Sequence, residues 1–162
     1  MASAPFKRVL IANRGEIAVR VIRACQKLGI ETVAAVSDAD RETMAAQIAT
    51  RAVCIGPAAA RDSYLDPLAL VAAAKGTGCE AIHPGYGFLS ERAHFARLCG
   101  ENDVTFIGPS PEAIEQMGDK LAAIRIAEAA GVPRVPGSGL IESPADAEAF
   151  AARTCTGRDR SL

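Results

Sequence analysis

The stretch RVLIANRGEIAVRVIRACQKLG, residues 8–29, carries the two periodicities that decide the fold. Arg8 to Ala12 reads as a strand, mostly an unbroken apolar run. After Gly15 the residues Ile17, Ala18, Val21, Ile22, Cys25 and Leu28 trace one face at helical spacing, and Gly29 is a natural stop. A strand feeding straight into a helix is the first half of a βα unit. The intervening ANRGE turn has two readings. Its backbone N–H groups, at the positive end of a helix dipole, can hold an anion. Against that, it has one glycine where the dinucleotide fingerprint G-x-G-x-x-G has three. The other reading is a structural corner in which Asn13 and Arg14 make hydrogen bonds. Asp38, after the second strand, stands where a ribose-binding acid would be.

Outward from this unit, strand-length apolar runs alternate with helical patterns. Further strands are predicted at Thr32 to Val36, Ala52 to Ile55, Glu80 to His83 and Val104 to Ile107. Most are continuous rather than alternating, as strands buried on both faces are. The predicted fold is α/β: a Rossmann-like open parallel sheet of about five strands with helices on both faces. Asp66-Pro67, Ser110-Pro111 and Ser143-Pro144 each place an acceptor at N-cap and a proline at the first helical position. Gly76, Gly100 and Gly131 are expected to close the helices of PLALVAAAK, ERAHFARLC and DKLAAIRIAEAA. Residues 1–135 form the domain. Residues 136–153 are a connector and helix, and residues 154–162 a tail without apolar periodicity, expected to be disordered.

A chain of 162 residues that is 49% apolar, with formal charge −1, is large enough for one core and has no basic patch for nucleic acid or anionic membranes. No segment approaches the roughly 18 apolar residues of a membrane span, and MASAPFKR lacks a signal peptide's apolar region, so the chain reads as cytoplasmic. The five cysteines, Cys25, Cys54, Cys79, Cys99 and Cys155, form no CxxC pair. Four of them lie in apolar helical or strand-like surroundings, as reduced core thiols do. His83 and His94 are too isolated for a metal site.

Three further stretches carry chemistry or its bland alternative. Arg20, Arg23 and Lys27 share one face of the first helix, as a solvated stripe or an interface edge, and Glu16 and Arg20 form an i,i+4 pair. AIHPGYGFLSE, residues 81–91, leaves a strand at the carboxyl edge of the sheet, where open α/β folds bind ligands. Gly85 and Gly87 let the backbone pass close to a ligand and Tyr86 can present its ring or hydroxyl there, or the segment is a structural turn. In EQMGDKLAAIRIAEAAGVPRVPGS, Gly118 interrupts a helical pattern and Asp119 serves as a new N-cap. Lys120 then sits in a first turn where a cation opposes the dipole, which points to a phosphate partner or to a plain surface lysine. P-loop, nucleophile-elbow and HExxH motifs are absent.

KRVLIANRGEIAVRVIRAC, SYLDPLALVAAAKGTGCEAIHPGYGFLSE, FIGPSPEAIEQMGDK and AGVPRVPGS, in this order and spacing, resemble the N-terminal, pre-ATP-grasp domain of biotin carboxylase, over about Phe6 to Arg153. That family serves acetyl-CoA, propionyl-CoA, methylcrotonyl-CoA and pyruvate carboxylases. The resemblance implies a ligase that uses ATP, Mg²⁺ and bicarbonate to carboxylate carrier-bound biotin. It assigns Lys120 to ATP and Tyr86 and Gly87 to the border of the biotin-side pocket, and it turns Arg20 and Arg23 toward a dimer partner. Lys27 departs from the acid often found there. It also implies a biotin carrier protein and a carboxyltransferase as partners of the parent enzyme.

The family continues into a second ATP-binding lysine, a glycine-rich lid and acidic Mg²⁺ ligands, whereas RTCTGRDRSL matches none of that continuation. The expectation is therefore a fragment truncated before the ATP-grasp domain. It would hold no catalytic residue or metal ligand, bind no cofactor tightly and be inactive alone. The alternatives are a stand-alone nucleotide-binding module, a dimerisation module that pairs with itself or a full-length subunit, or a truncated gene product without activity.

Overall fold

The computed structural model describes residues 4–118, 120–133 and 141–154, and the chain divides into two units, residues 1–115 and 116–162. In the first unit β1 (Arg8–Ile11) leads through α1 (Gly15–Lys27) to β2 (Glu31–Ser37), and a short helix α2 (Met44–Ile48) leads to β3 (Arg51–Gly56). Then come α3 (Pro67–Gly76), β4 (Ala81–His83), α4 (Ala93–Glu101), β5 (Thr105–Phe106) and α5 (Pro111–Gly118). In the second unit lie α6 (Lys120–Ala129) and α7 (Pro144–Thr154).

The five strands are all parallel, in the order β3-β2-β1-β4-β5. β1 is central, with Leu10 between Val33 of β2 and Ile82 of β4. After β1 the chain builds the sheet in one direction and after β4 in the other. The loops that follow these two strands therefore part at the carboxyl edge, the topological switch point of an open α/β sheet.

Strand alternation sorts the core into two layers. Leu10, Ala12, Val33, Ala35 and Ile82 pack with Leu70 and Ala74 of α3 and Phe95 and Cys99 of α4. Val9, Ile11, Ala34, Val36 and Ala81 pack with Ala18, Ile22 and Cys25 of α1 and Ala45 of α2. Both faces of the central strands are thus buried, which is why their sequences are continuously apolar. Each fully buried Leu or Ile contributes about 1.5–3 kcal/mol.

The three proline-marked helix starts are as the sequence predicts. Asp66 accepts hydrogen bonds from the Leu68 and Ala69 amides at 2.9 and 3.0 Å, and Ser110 Oγ accepts from Ala113 at 3.2 Å. Ser143 Oγ accepts from the Asp146 amide (3.3 Å) while Asp146 accepts from the Ser143 amide (2.9 Å), a reciprocal cap.

Several helix ends differ from expectation. α3 runs through Gly76 and α4 through Gly100. The left-handed residues beyond them are Gly78 (φ 69°) and Asp103 (φ 58°), aspartate being one of the few side chains that tolerate this region. α4 starts at Ala93 rather than Glu91, because the Ser90 and Arg92 amides turn back onto the carbonyls of Gly87 and Leu89. Nor does β3 fit the doubly buried pattern: as an edge strand it exposes Ala52 and Cys54. Cys54 is accordingly no core thiol, whereas Cys25, Cys79 and Cys99 are buried. Asp119, the 134–140 connector, Cys155 and the tail lie outside the described residues. Among the described residues, no helix is long and apolar enough to cross a membrane.

Candidate functional site

At the switch point the ANRGE turn and the HPGYG loop are tied together by one side chain. Asn13, 2% exposed, donates from Nδ2 to the carbonyls of Pro84 (2.8 Å) and Tyr86 (3.0 Å), and its Oδ1 accepts from the Arg14 amide (2.9 Å). Gly85 has φ 67°, and a Cβ there would come within 2.6 Å of Ile17 Cγ2 and 2.7 Å of Asn13 Nδ2. The loop lies flat on the turn only because this residue is glycine. The asparagine thus bridges the two loops at the switch point, the place where a dinucleotide fold holds its pyrophosphate.

On the outer side of this junction Tyr86 stands 59% exposed and donates its hydroxyl to Glu16 Oε2 at 3.0 Å. Glu16 Oε1 in turn pairs with Arg20 at 3.3 Å, so Tyr86, Glu16 and Arg20 form one surface chain. The Glu16 carboxylate raises the Tyr86 pKa, since a phenolate beside it is disfavoured. Gly87 is exposed with φ 70°, and open space surrounds the point where a Cβ would sit. A ligand can therefore approach its backbone closely.

Behind the loop lies a cluster the sequence does not announce. Tyr64, fully buried, donates to Asp40 Oδ2 (2.8 Å) and accepts from the Ser37 amide (3.0 Å). Its ring is stacked on Phe88 with centroids 5.3 Å apart and an interplanar angle of 6°, and the Arg14 guanidinium lies 5.6 Å from each ring centroid. Burial works against the Asp40 carboxylate. The hydrogen bonds from Ser37 and Tyr64, with Arg14 at 3.9 Å, outweigh it and hold the carboxyl below its usual range. Burial first, and then Asp40, push the Tyr64 hydroxyl up to about 12.

Phe88 adopts φ 43°, for which a left-handed backbone costs about 1–2 kcal/mol; an aromatic stack of this kind returns about 0.5–1.5 kcal/mol. Tyr64 and Asp40 were missed because apolar periodicity marks a residue as buried without saying what it touches. SYLDP and SDAD are their only sequence trace.

The remaining candidates divide. Asp38 is engaged by Arg41 (2.7 and 3.0 Å), whose hydrogen bonds lower its pKa, and it accepts from Cys54 Sγ at 3.4 Å. Arg20, Arg23 and Lys27 are all exposed along α1. Beside Arg20 an apolar groove of about 400 Å³ opens between Val21 of α1, Leu28 just past its end, and Phe6, His83 and Ile107. Lys120 opens α6 in the second unit, and its side chain lies outside what the structure describes. Among the described residues no group of three or more His, Cys, Asp or Glu can hold a metal ion.

A family model described as the biotin carboxylase N-terminal domain matches residues 5–114. The chain belongs to that family. This biotin carboxylase N-terminal domain is 58% identical over 147 residues to biotin carboxylase 1 of Bacillus subtilis (strain 168), covering 90% of this chain and 33% of that protein. With the mitochondrial methylcrotonoyl-CoA carboxylase subunit alpha of Oryza sativa subsp. japonica it shares 60% identity over 131 residues, covering 81% of this chain and 18% of that one.

Among solved structures, it matches the biotin carboxylase domain of a thermophilic 2-oxoglutarate carboxylase bound to bicarbonate with a TM-score of 0.83 at 49% identity, covering 93% of this chain and 34% of that chain. The Hydrogenobacter thermophilus biotin carboxylase domain dimer, in complex with MgADP, ADP and bicarbonate, matches at 0.79 and 46%, covering 91% and 33%. The chain spans about a third of the length of the bacterial relative.

Proposed function

We propose that this biotin carboxylase N-terminal domain works as part of an ATP-dependent ligase that carboxylates carrier-bound biotin from bicarbonate. The observation that carries the proposal is the 58% identity, over 90% of this chain, to a biotin carboxylase. In this role Tyr86 and Gly87 border the biotin-side pocket. The exposed ring, the open space over Gly87 and the rigid seat on Asn13 suit a loop that meets a ligand with its backbone. Lys120 contacts ATP. When bound, Mg²⁺ supplies charge neutralisation at the transferring phosphoryl group.

It follows that the 162-residue polypeptide assayed by itself has no carboxylase activity. Phosphoryl transfer depends on cationic clamps around the γ-phosphate, and losing one such donor typically costs about a hundredfold or more. Biotin-dependent ATP hydrolysis in bicarbonate, measured on the purified polypeptide, is expected at the blank level; turnover above it overturns the inactivity of the isolated polypeptide. Calorimetric titration with MgATP is expected to give a Kd weaker than about 1 mM, corresponding to less than about 4 kcal/mol of binding. Tighter binding favours a stand-alone nucleotide-binding module.

The α1 surface supports self-association as a second role. Exposed Arg20 at an apolar groove, with exposed Arg23 on the same helix, combines forked donors with burial area, as an interface edge does.

A further inference from the structure

Phe88 ends the turn that presents Tyr86 and Gly87, and its left-handed backbone (φ 43°) is one that a bulky residue rarely adopts unaided. Besides the core it packs against, a stacked ring opposes its relaxation. Tyr64 stacks on it at 5.3 Å, and Tyr64 cannot slide, because its hydroxyl is held by the Ser37 amide at the end of β2 and by Asp40 just beyond. Arg14, from the loop after β1, covers both rings. A residue lying between β3 and α3 thus touches the loops that follow β1, β2 and β4 at once.

We propose that Tyr64 is a positioning residue whose ring, pinned by Ser37 and Asp40, holds Phe88 and so sets the backbone of the Gly85–Phe88 loop. The purpose of that loop rests on the biotin-side role proposed above, whereas its shape does not. A tyrosine that merely fills the core makes a different prediction, since its loss loosens every strand alike.

Amide hydrogen exchange followed by NMR on the full 162-residue chain separates the two. The reporters are the amides of Gly85, bonded to His83 Nδ1 (3.0 Å), and Ser90, bonded to the Gly87 carbonyl (2.9 Å). In Tyr64→Leu their exchange is expected to accelerate about tenfold or more beyond any change at Leu10 and Val33, the signature of local rather than global opening. Phe88→Leu alters a half-buried side chain outside the central strands and is expected to give the same local acceleration, so it carries the test if Tyr64→Leu does not fold.

Equal acceleration in loop and sheet, or no acceleration in the loop of a folded Tyr64→Leu or of Phe88→Leu, overturns the proposal. Adding millimolar d-biotin to the unsubstituted chain tests the pocket separately. Shifts at Tyr86 and Gly87 support the biotin-side role. Their absence counts against that role and leaves the exchange result to judge Tyr64.

Discussion

Asn13 and Tyr86, 73 positions apart, are joined by a hydrogen bond of 3.0 Å from the asparagine Nδ2 to the tyrosine carbonyl, with the Pro84 carbonyl sharing the same nitrogen at 2.8 Å. One carboxamide therefore fixes the distance between the two loops that flank the switch point.

Asn13→Ala is expected to leave the buried Pro84 carbonyl without its donor, at a cost of about 1–3 kcal/mol. Asn13→Asp replaces the donor with an oxygen facing two carbonyl oxygens and is expected to cost more than the alanine. Thermal denaturation of both variants checks the order; an aspartate variant as stable as the parent contradicts the described bond.

The two loop glycines are expected to respond differently to alanine. At Gly85 the added methyl meets Ile17 and Asn13 at 2.6–2.7 Å, so overpacking of about 1–3 kcal/mol adds to the left-handed cost. At Gly87 nothing lies within 4 Å and the left-handed cost of about 1–2 kcal/mol stands alone. Urea unfolding of Gly85→Ala and Gly87→Ala is expected to give the lower midpoint for the first.

Stability is expected to fall on mild acidification through His83. Burial lowers its pKa below the ordinary 6.5, and its Nδ1 accepts from the Gly85 amide, which a protonated ring cannot do. Below about pH 6.5 the unfolded chain takes up a proton that the folded chain resists. The stability present above that pH is therefore lost as pH falls toward the depressed folded value. The Asp38 and Asp40 carboxyls, lowered from 3.8, act in a more acid window. Unfolding free energies between pH 8 and 5 for the parent and His83→Gln are expected to diverge below about pH 6.5, with the glutamine variant flatter.

Arg20→Glu with Arg23→Glu is expected to weaken self-association, measured by sedimentation at increasing concentration. It should change the thermal midpoint little, because both side chains are exposed and surface substitutions usually stay within about 0.5 kcal/mol. A monomeric parent at every concentration ends the self-association reading.

The fold was legible where burial is two-sided. Val33 to Val36 can be read as a strand because both faces are covered, and Asp66-Pro67 marks a helix start because its chemistry is local. Less legible was anything set by neighbours distant in sequence. Cys54 looks like its buried counterparts until strand order puts β3 at the edge. Gly76 looks like a helix stop until Gly78 takes the left-handed position. At the site, Tyr86 and Gly87 stood out by their motif and Asn13 by its turn, but Tyr64 and Phe88 meet across 24 residues with no shared periodicity.

The central place of β1 also orders events during synthesis. β1 pairs with β2 across 23 residues, Val9 opposite Thr32, but waits 72 residues for Ala81 to cover its other edge. Until then its second row of backbone groups is open. A nascent chain paused before β4 thus exposes an apolar strand edge, and shielding by the ribosome or a chaperone is most valuable in that interval.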